Sequence, residues 1–396
     1  MDNKKKVKLA LVGLGNIGST YMRYLKELDN VEVVGVCDII KEKADKYAAE
    51  YNTTAYYNHI DLLEESGLEA IIIAVPHYDH TTISIDAFKR GINVLSEKPL
   101  AVHVNDAKKS IEAYEKAKEK YPNIVFAIMF QERTLPFYKK IKDIIEGKEL
   151  GKLTRVTWIN TAWFRSQAYY NSGGWRATWA GEGGGILSNQ CPHNLDIYQW
   201  LFGIPDRISG HAHIGKYHDI EVEDEVTAYF EHKNGMIGHF IVTTAESPGV
   251  NRFEIVGENG RLVFEDGKLI FHRNRISMLK YSKETKSGFG NVECWYTEIP
   301  LDKNVEHNHK LVTERFIDVI LNGGELIAHG SEGIKSVSIA NAIMLSSFNE
   351  KIIEMPLDAD EYENKLKELI KTSKFVKTVD TSIKTDMSKS FSKGVE

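Results

Sequence analysis

The sequence predicts an α/β chain: an N-terminal doubly wound parallel sheet, then a C-terminal α+β domain with a large, mostly antiparallel open sheet. Three observations carry this. Up to residue 131, short Val- and Ile-rich runs alternate with helical patterns. From Leu153 onward such runs follow one another with only turn signals between them. Where the first run meets the first helical pattern stands Gly13-x-Gly15-x-x-Gly18. A chain of 396 residues with 42% hydrophobic content is long enough for two cores.

In order, Val7–Val12, Val31–Asp38, Ala70–Pro76, Asn93–Ser96 and Ile124–Phe130 read as buried parallel strands, because both faces are apolar. Helical periodicity fills the gaps at Ile17–Leu28, Lys41–Tyr51, His80–Arg90 and Val104–Lys120, and Pro136–Glu146 reads as a linking helix. Beyond it, Leu153–Ala162, Ile208–Ile214, Glu225–His232, Met236–Thr244, Asn251–Val256 and Arg261–Phe264 read as strands in series, which pair antiparallel. Helices at Cys191–Phe202, Asn308–Leu321 and Gly333–Phe348 are expected to cover one face of that sheet. Its other face needs a second subunit, so a homo-oligomer is expected. The expected division is 1–131, 132–370 and a Lys/Ser/Thr-rich tail, 371–396, mobile or lightly docked.

Composition narrows the function. The net charge of −6, with both signs interspersed, leaves no basic footprint for nucleic acid. Cys37, Cys191 and Cys294 are odd in number and lack disulfide or metal spacing, which fits a reducing cytosol. Lys4-Lys5-Lys6 before an apolar run resembles a signal peptide, but Lys8 interrupts that run and the glycine motif ends it. No stretch approaches the ~20 apolar residues of a membrane span. A cytoplasmic protein with no membrane partner is expected.

The glycine motif is the fingerprint of a dinucleotide-binding Rossmann domain when a strand precedes it and a helix follows. Gly13 permits the tight turn, Gly15 lets a pyrophosphate approach the backbone, and Gly18 lets helix meet strand. Asn16 and Ile17 open the helix, whose amides and dipole favour phosphate. Asp38 ends the second strand, where a carboxylate accepts bonds from ribose hydroxyls and repels a 2′-phosphate. Ile39 and Ile40 follow it, offering no cation, so NAD is the expected cofactor. Pro76 and His77 close another strand and are expected beside the nicotinamide, with His77 and His80 capping or packing rather than catalysing.

Two segments carry candidate chemistry. Glu97-Lys98-Pro99 follows a strand end, so the Lys98 ammonium can donate to a substrate oxygen gaining negative charge while Glu97 orients it. In Gly183-Gly184-Gly185-Ile-Leu-Ser-Asn-Gln-Cys-Pro-His193, a glycine hinge enters a helical pattern with Asn189, His193 and Asp196 at i, i+4 and i+7. An imidazole there suits proton transfer.

These motifs, in this order, resemble the family of glucose–fructose oxidoreductases and inositol dehydrogenases (Gfo/Idh/MocA), over about residues 5–350. The resemblance implies a Rossmann domain followed by a domain with a large open sheet, often assembled into dimers or tetramers. It places Lys98 at nicotinamide and substrate through a cis Lys98–Pro99 peptide, and makes His193 an acid/base candidate. The chain departs from the family where it has Asn189 and Cys191 in place of an aspartate and a glycine. An amide orients a hydroxyl but cannot raise imidazole basicity as a carboxylate does. The base is thus His193 alone or with Lys98, and Asp196 reads as a structural partner.

Trp158, Trp163, Phe164, Tyr169, Tyr170, Trp175 and Trp179 crowd one region, interleaved with Arg165 and Arg176. Flat aromatic faces and guanidinium forks suit sugar rings; core packing is the alternative for each. Arg133 and His309, beside Asn308, are further substrate candidates, and neither His211-x-His213 nor His307-x-His309 is expected to hold a metal. The expected activity is NAD-dependent oxidation of a secondary hydroxyl of a sugar, glycoside or polyol, the Asn189–His193 variant resembling a subgroup that oxidises glucosides at C3. An inositol dehydrogenase, an NAD-dependent glycosidase acting by oxidation and elimination, and a non-catalytic NAD sensor are the alternatives.

Overall fold

A computed structural model describes residues 5–302, 308–380 and 382–383. The first sheet contains β1 (Val7–Val12), β2 (Val31–Cys37), β3 (Thr54–Tyr56), β4 (Ala70–Ile73), β5 (Asn93–Ser96) and β6 (Phe126–Ile128). Its order is β3-β2-β1-β4-β5-β6, every pair parallel. Helices α1 (Asn16–Leu25), α2 (Lys41–Tyr51), α3 (His59–Leu63), α4 (His77–Lys89) and α5 (Val104–Lys120) connect the strands. The chain runs outward from β1 to β3 and then returns to β4 beside β1. This reversal opens a crevice beyond the carboxyl ends of β1 and β4.

The βαβ rhythm is present, but two elements escaped the sequence pattern. Strand β3 has three residues, too few to show alternation, and α3 has five. The expected strand through Pro76 stops at Ile73, leaving Ala74–Pro76 as a turn into α4. Likewise β6 ends at Ile128, and Gln131–Thr134 forms a single 3-10 turn.

Next come α6 (Pro136–Glu146), β7 (Leu153–Asn160), α7 (Gln167–Asn171), α8 (Ile186–Asn189) and α9 (Pro192–Phe202). The remaining strands are β8 (Arg207–Ile214), β9 (Glu223–Glu231), β10 (Ile237–Thr243), β11 (Asn251–Gly257), β12 (Gly260–Glu265), β13 (Lys268–Asn274), β14 (Cys294–Ile299) and β15 (Ile353–Glu354). They form a nine-stranded sheet ordered β14-β13-β12-β11-β7-β10-β9-β8-β15. Its pairs are antiparallel except β7 with β10, which are parallel because β8 and β9 intervene in sequence and deliver β10 in β7's direction. Strands β13, β14 and the two-residue β15 extend the sheet beyond the expected set; β14 is largely exposed, so no buried stripe announced it.

Helices α10 (Met278–Glu284), α11 (His309–Asn322), α12 (Gly333–Asn349) and α13 (Ala359–Thr372) complete the elements. Along β7, Val156, Trp158 and Asn160 are buried while Arg155, Thr157 and Ile159 are half-buried, the alternation of a sheet covered on one face. Helices α9 and α12 provide that cover. Tyr198 of α9 meets Phe230 edge-on at 4.9 Å. Gly210 of β8 lets α12 approach, since a Cβ there would lie 2.5 Å from the Ile343 carbonyl oxygen.

Helix α11 corrects one expectation. It does not cover the second sheet. Val312, Phe316 and Ile317 instead join Val7, Leu9 and Leu11 of β1 in the core of the first, and Thr313 hydrogen-bonds the Tyr24 hydroxyl at 3.0 Å. An amphipathic stripe states that a helix is buried on one side, not against which partner. After α13 the chain docks on α7: Lys377 Nζ donates to the Tyr170 carbonyl at 2.8 Å and the Asp380 amide to Asn171 O at 2.9 Å. Tail residues 381 and 384–396 and His307 lie outside the described residues.

The position of α11 has a measurable consequence. Phe316 is fully buried, so Phe316→Ala should destabilise the chain by about 3–5 kcal/mol. Phe289 is fully exposed, and Phe289→Ala should stay within about 0.5 kcal/mol of wild type. Denaturant midpoints of the two variants check this.

Candidate active site

The crevice at the switch point is about 690 Å3 and runs from the β2 end, past the glycine turn, to the mouth of the second sheet. Its first half is built by backbone constraints. Gly13 has φ +97°, and a Cβ there would lie 2.2 Å from the Ala74 carbonyl oxygen. Gly18 presses on the Gly13 carbonyl, which a Cβ would approach to 2.1 Å. A Cβ on Gly15 would meet nothing within 4 Å. Two glycines thus hold the turn closed, and the third leaves open space at the helix start. The first turn of α1 has no acidic residue and no side-chain cap, so its amides face that space uncompensated. The Asp38 carboxylate accepts from the Leu14 amide at 2.9 Å and the Ile40 amide at 2.8 Å, which fixes it at the far end with lone pairs to spare. Asn16, Ile17, Pro76 and His77 also line the crevice. A dinucleotide fits this cradle.

The other half carries the ionisable groups. The Lys98–Pro99 peptide is cis, as expected. Lys98 Nζ donates to the Asn189 carbonyl at 2.8 Å, bringing the ammonium from the β5 end across to α8. Burial pushes its pKa down, while Glu97 and Glu182 oppose the shift. Glu97 accepts from the Tyr21 hydroxyl at 2.7 Å and lies 3.5 Å from His309 Nε2, so it is held rather than free.

His193, at the start of α9, has its Nε2 at 3.1 Å from Gln131 Nε2. With the amide donating, Nε2 accepts and the ring proton sits on Nδ1. His193 Nδ1 and Gln131 Oε1 are buried with no hydrogen-bond partner. Burial, then the positive fields of Lys98 and His309, hold the imidazole well below its ordinary pKa, so it is neutral at physiological pH. Burial lowers His77 and His309 as well.

The expected single helical face from Asn189 to Asp196 is broken. Pro192 starts a new helix, so Asn189 ends α8 and His193 opens α9, yet both line the crevice. The Asn189 amide donates to Glu182 Oε1, and its side-chain oxygen accepts from Gln190 at 3.1 Å. Trp163, Arg165, Tyr169, Trp175, Arg176 and His309 line the crevice too. Arg176 donates to the Tyr169 hydroxyl at 2.8 Å with its guanidinium 4.7 Å from the Trp175 ring centroid. The other aromatics serve elsewhere. Trp158 and Trp179 are buried in the core, the Tyr170 hydroxyl bonds Thr244, and Phe164 is exposed.

Arg133 is the main correction. Expected at the substrate, it is buried and paired with Asp196 through 2.6 and 2.7 Å bonds and with Glu332 at 3.0 Å. A buried guanidinium needs such partners, and Asp196 is accordingly structural. Its neighbours Gln131 and Glu132 line the crevice instead. The sequence signal for them was their place just beyond a parallel strand's carboxyl end; which of three consecutive residues faces inward depends on the 3-10 turn. His218, near the His211-x-His213 pair in sequence, bridges Asp224 at 2.9 Å and the Arg165 carbonyl at 2.9 Å.

Comparison with known proteins agrees with this architecture. Residues 7–123 match the oxidoreductase family with an NAD-binding Rossmann fold, and residues 138–263 match the GFO/IDH/MocA C-terminal domain. The chain belongs to the Gfo/Idh/MocA family. The first sheet is that family's NAD-binding fold, and NAD is the cofactor. The inositol 2-dehydrogenase of Salmonella typhimurium is 34% identical over 151 residues, 37% of this chain and 43% of that protein. This chain thus spans less than half the length of the curated relatives that it matches first. The scyllo-inositol 2-dehydrogenase (NAD(+)) of Bacillus subtilis is 26% identical over 272 residues, 65% of this chain and 73% of that protein. Among solved structures, the Chromobacterium violaceum WlbA dehydrogenase, in complex with NADH and UDP-GlcNAcA, aligns with TM-score 0.75 and 26% identity over 90% of this chain and 98% of that one. No helix of the described residues is long and apolar enough to cross a membrane.

Asp38 sets a cofactor test. A carboxylate at the end of the second strand accepts bonds from ribose hydroxyls and repels a 2′-phosphate, so NAD should bind at least tenfold more tightly than NADP, about 1.4 kcal/mol. Lys43 lines the same end, so Asp38→Ala should narrow the ratio. Dissociation constants from fluorescence titration decide it; equal values for wild type would refute the role of Asp38.

Proposed function

We propose that this protein is an NAD-dependent dehydrogenase that oxidises a secondary hydroxyl of a sugar or glycoside, C3 of a glucoside being the position favoured by the Asn189–His193 variant. The observation that carries the reading is the meeting of Lys98 and His193 in one crevice with the dinucleotide cradle, under an aromatic wall of Trp163, Tyr169 and Trp175. NAD, when bound, supplies the acceptor for the carbinol hydrogen and its electron pair. The aromatic wall offers flat faces to a pyranose ring, and Arg165, Arg176 and Asn189 offer hydrogen bonds to its hydroxyls. Lys98 donates to the reacting oxygen and stabilises the charge that develops on it. His193 is neutral with its proton on Nδ1, so the Nε2 lone pair that now accepts from Gln131 can accept the substrate hydroxyl proton. A second copy of the chain covers the open outer face of the nine-stranded sheet in this reading, and sedimentation equilibrium reads that directly.

An inositol or polyol dehydrogenase is the second reading, supported by the inositol 2-dehydrogenase relative. A panel of glucosides, free sugars and inositols, mixed with NAD and followed at the nicotinamide absorbance, separates the two. Aglycone release without net NADH would instead mark an oxidation–elimination glycosidase, and no turnover with intact NAD binding a sensor.

On the substrate so identified, His193→Ala should slow turnover by roughly a hundredfold or more while NAD affinity stays within about twofold. Lys98→Ala should also lower kcat. A larger loss in Lys98→Ala than in His193→Ala would assign the base to lysine, and near-native turnover in His193→Ala would remove the histidine from the chemistry.

A further inference from the structure

The carboxylates around the crevice are of two kinds. Most are satisfied. Glu97 accepts from Tyr21, Glu182 from the Ala177 amide and Asn189, Asp196 from Arg133 and Gln199, and Glu223 from the Gly185 and Leu187 amides. Asp79, which is exposed, and Glu132, which is half-buried, differ. Glu132 lines the crevice with Lys98, Gln131 and His193, yet among the described residues no hydrogen bond or ion pair reaches its carboxylate. Its place is nonetheless held on both sides. Gln131 contacts His193 at 3.1 Å, Arg133 is locked onto Asp196, and Thr134 Oγ1 closes the turn on the Gln131 carbonyl at 2.6 Å. The turn that carries Glu132 is thus fixed, while its half-buried carboxylate is engaged in no structural contact, as a working group rather than a structural one would be.

The geometry points to Glu132 as a further proton-transfer residue: its carboxylate receives the proton released at the Lys98–His193 centre and passes it to solvent. The inference rests on the dehydrogenase reading. In the oxidation, the carbinol C–H hydrogen leaves with its electron pair for the bound dinucleotide, the substrate O–H bond breaks, and its electrons form the carbonyl π bond. The remaining proton must leave a crevice whose imidazoles are held neutral. Burial pushes the Glu132 carboxyl up to about 7; Lys98 at the end of β5 opposes the rise and Asp196 on α9 adds to it. The other titratable groups that sense Glu132 are Cys191 and Tyr138, both neutral because burial raises them. A proton on His193, whose own affinity is far lower, therefore moves downhill to Glu132. In the reverse reduction the protonated acid would supply it.

The isosteric Glu132→Gln variant tests this by two readouts. Oxidation needs the carboxylate, so wild-type kcat/KM should fall below about pH 7. In Glu132→Gln that acid limb should move down by at least about one pH unit and turnover at the plateau should drop roughly a hundredfold. Glu132→Asp should restore the limb, and NAD affinity should not change. The second readout needs no substrate. A carboxyl raised on folding stabilises the fold below its unfolded pKa of about 4.3, and that contribution is lost as pH rises through about 7. The Tm of Glu132→Gln should therefore gain on that of wild type between about pH 4 and about pH 8. An acid limb unmoved by Glu132→Gln overturns the proposal, and so does a Tm difference that is flat with pH. If wild type oxidises no member of the panel, the dehydrogenase reading is what fails, and the Tm series still decides whether Glu132 is the raised carboxyl.

Discussion

One buried ion pair governs the geometry of the crevice. Arg133, on the turn after the last parallel strand, is clamped to Asp196 on α9, and both are almost wholly excluded from solvent. Removing either partner leaves an unpaired buried charge, at a cost of about 3–5 kcal/mol. The pair joins the nucleotide-binding sheet to a helix that belongs to the second sheet. It therefore sets the register in which Gln131 meets His193 and Glu132 enters the crevice. Glu332, just before α12, adds a third element to the same guanidinium. The two sheets are thus pinned beside the crevice by residues that do not line it.

Around this clamp the site is organised by desolvation. His77, His193 and His309 all lose proton affinity through burial, and the Lys98 ammonium lowers each of them further. Lys98 keeps Glu97 and Glu182 as counter-charges, which limit its own fall. The Lys98 ammonium therefore stands beside imidazoles that are neutral and one carboxyl raised to about 7. That arrangement favours moving a proton over binding one permanently. Where the resemblance to the family implies an aspartate, the chain has Asn189, whose amide donates to Glu182.

The legible part of the molecule was the part whose function is local. Gly13, Gly15, Gly18 and Asp38 act through backbone conformation and a fixed strand–turn–helix spacing, and the structure places them as their spacing implied. Lys98 was legible for the same reason, being carried to a strand end beside its own proline. Arg133 was misplaced because three polar residues in a row carry no record of which one a 3-10 turn will direct inward. Of the aromatic cluster, Trp163 and Trp175 line the crevice while Trp158 is a core residue of β7, a division that composition cannot make because both settings select the same side chains.

The sequence by itself determined the longer elements, the parallel-then-antiparallel architecture, the cofactor cradle and the places of Lys98 and His193 at a strand end and a helix start. These follow from periodicities and spacings within a few tens of residues, over which hydrophobic pattern and backbone sterics act directly. Only the tertiary structure decided that α11 packs back on the first sheet, that the Asn189–His193 segment breaks at Pro192, that Arg133 is a clamp and that Glu132 is left without a partner. Each of those depends on contacts between residues distant in sequence, Arg133 with Asp196 and Glu332 above all. Burial, and with it the shifted proton affinities of Lys98, His193, His309 and Glu132, is a property of that packing rather than of the chain.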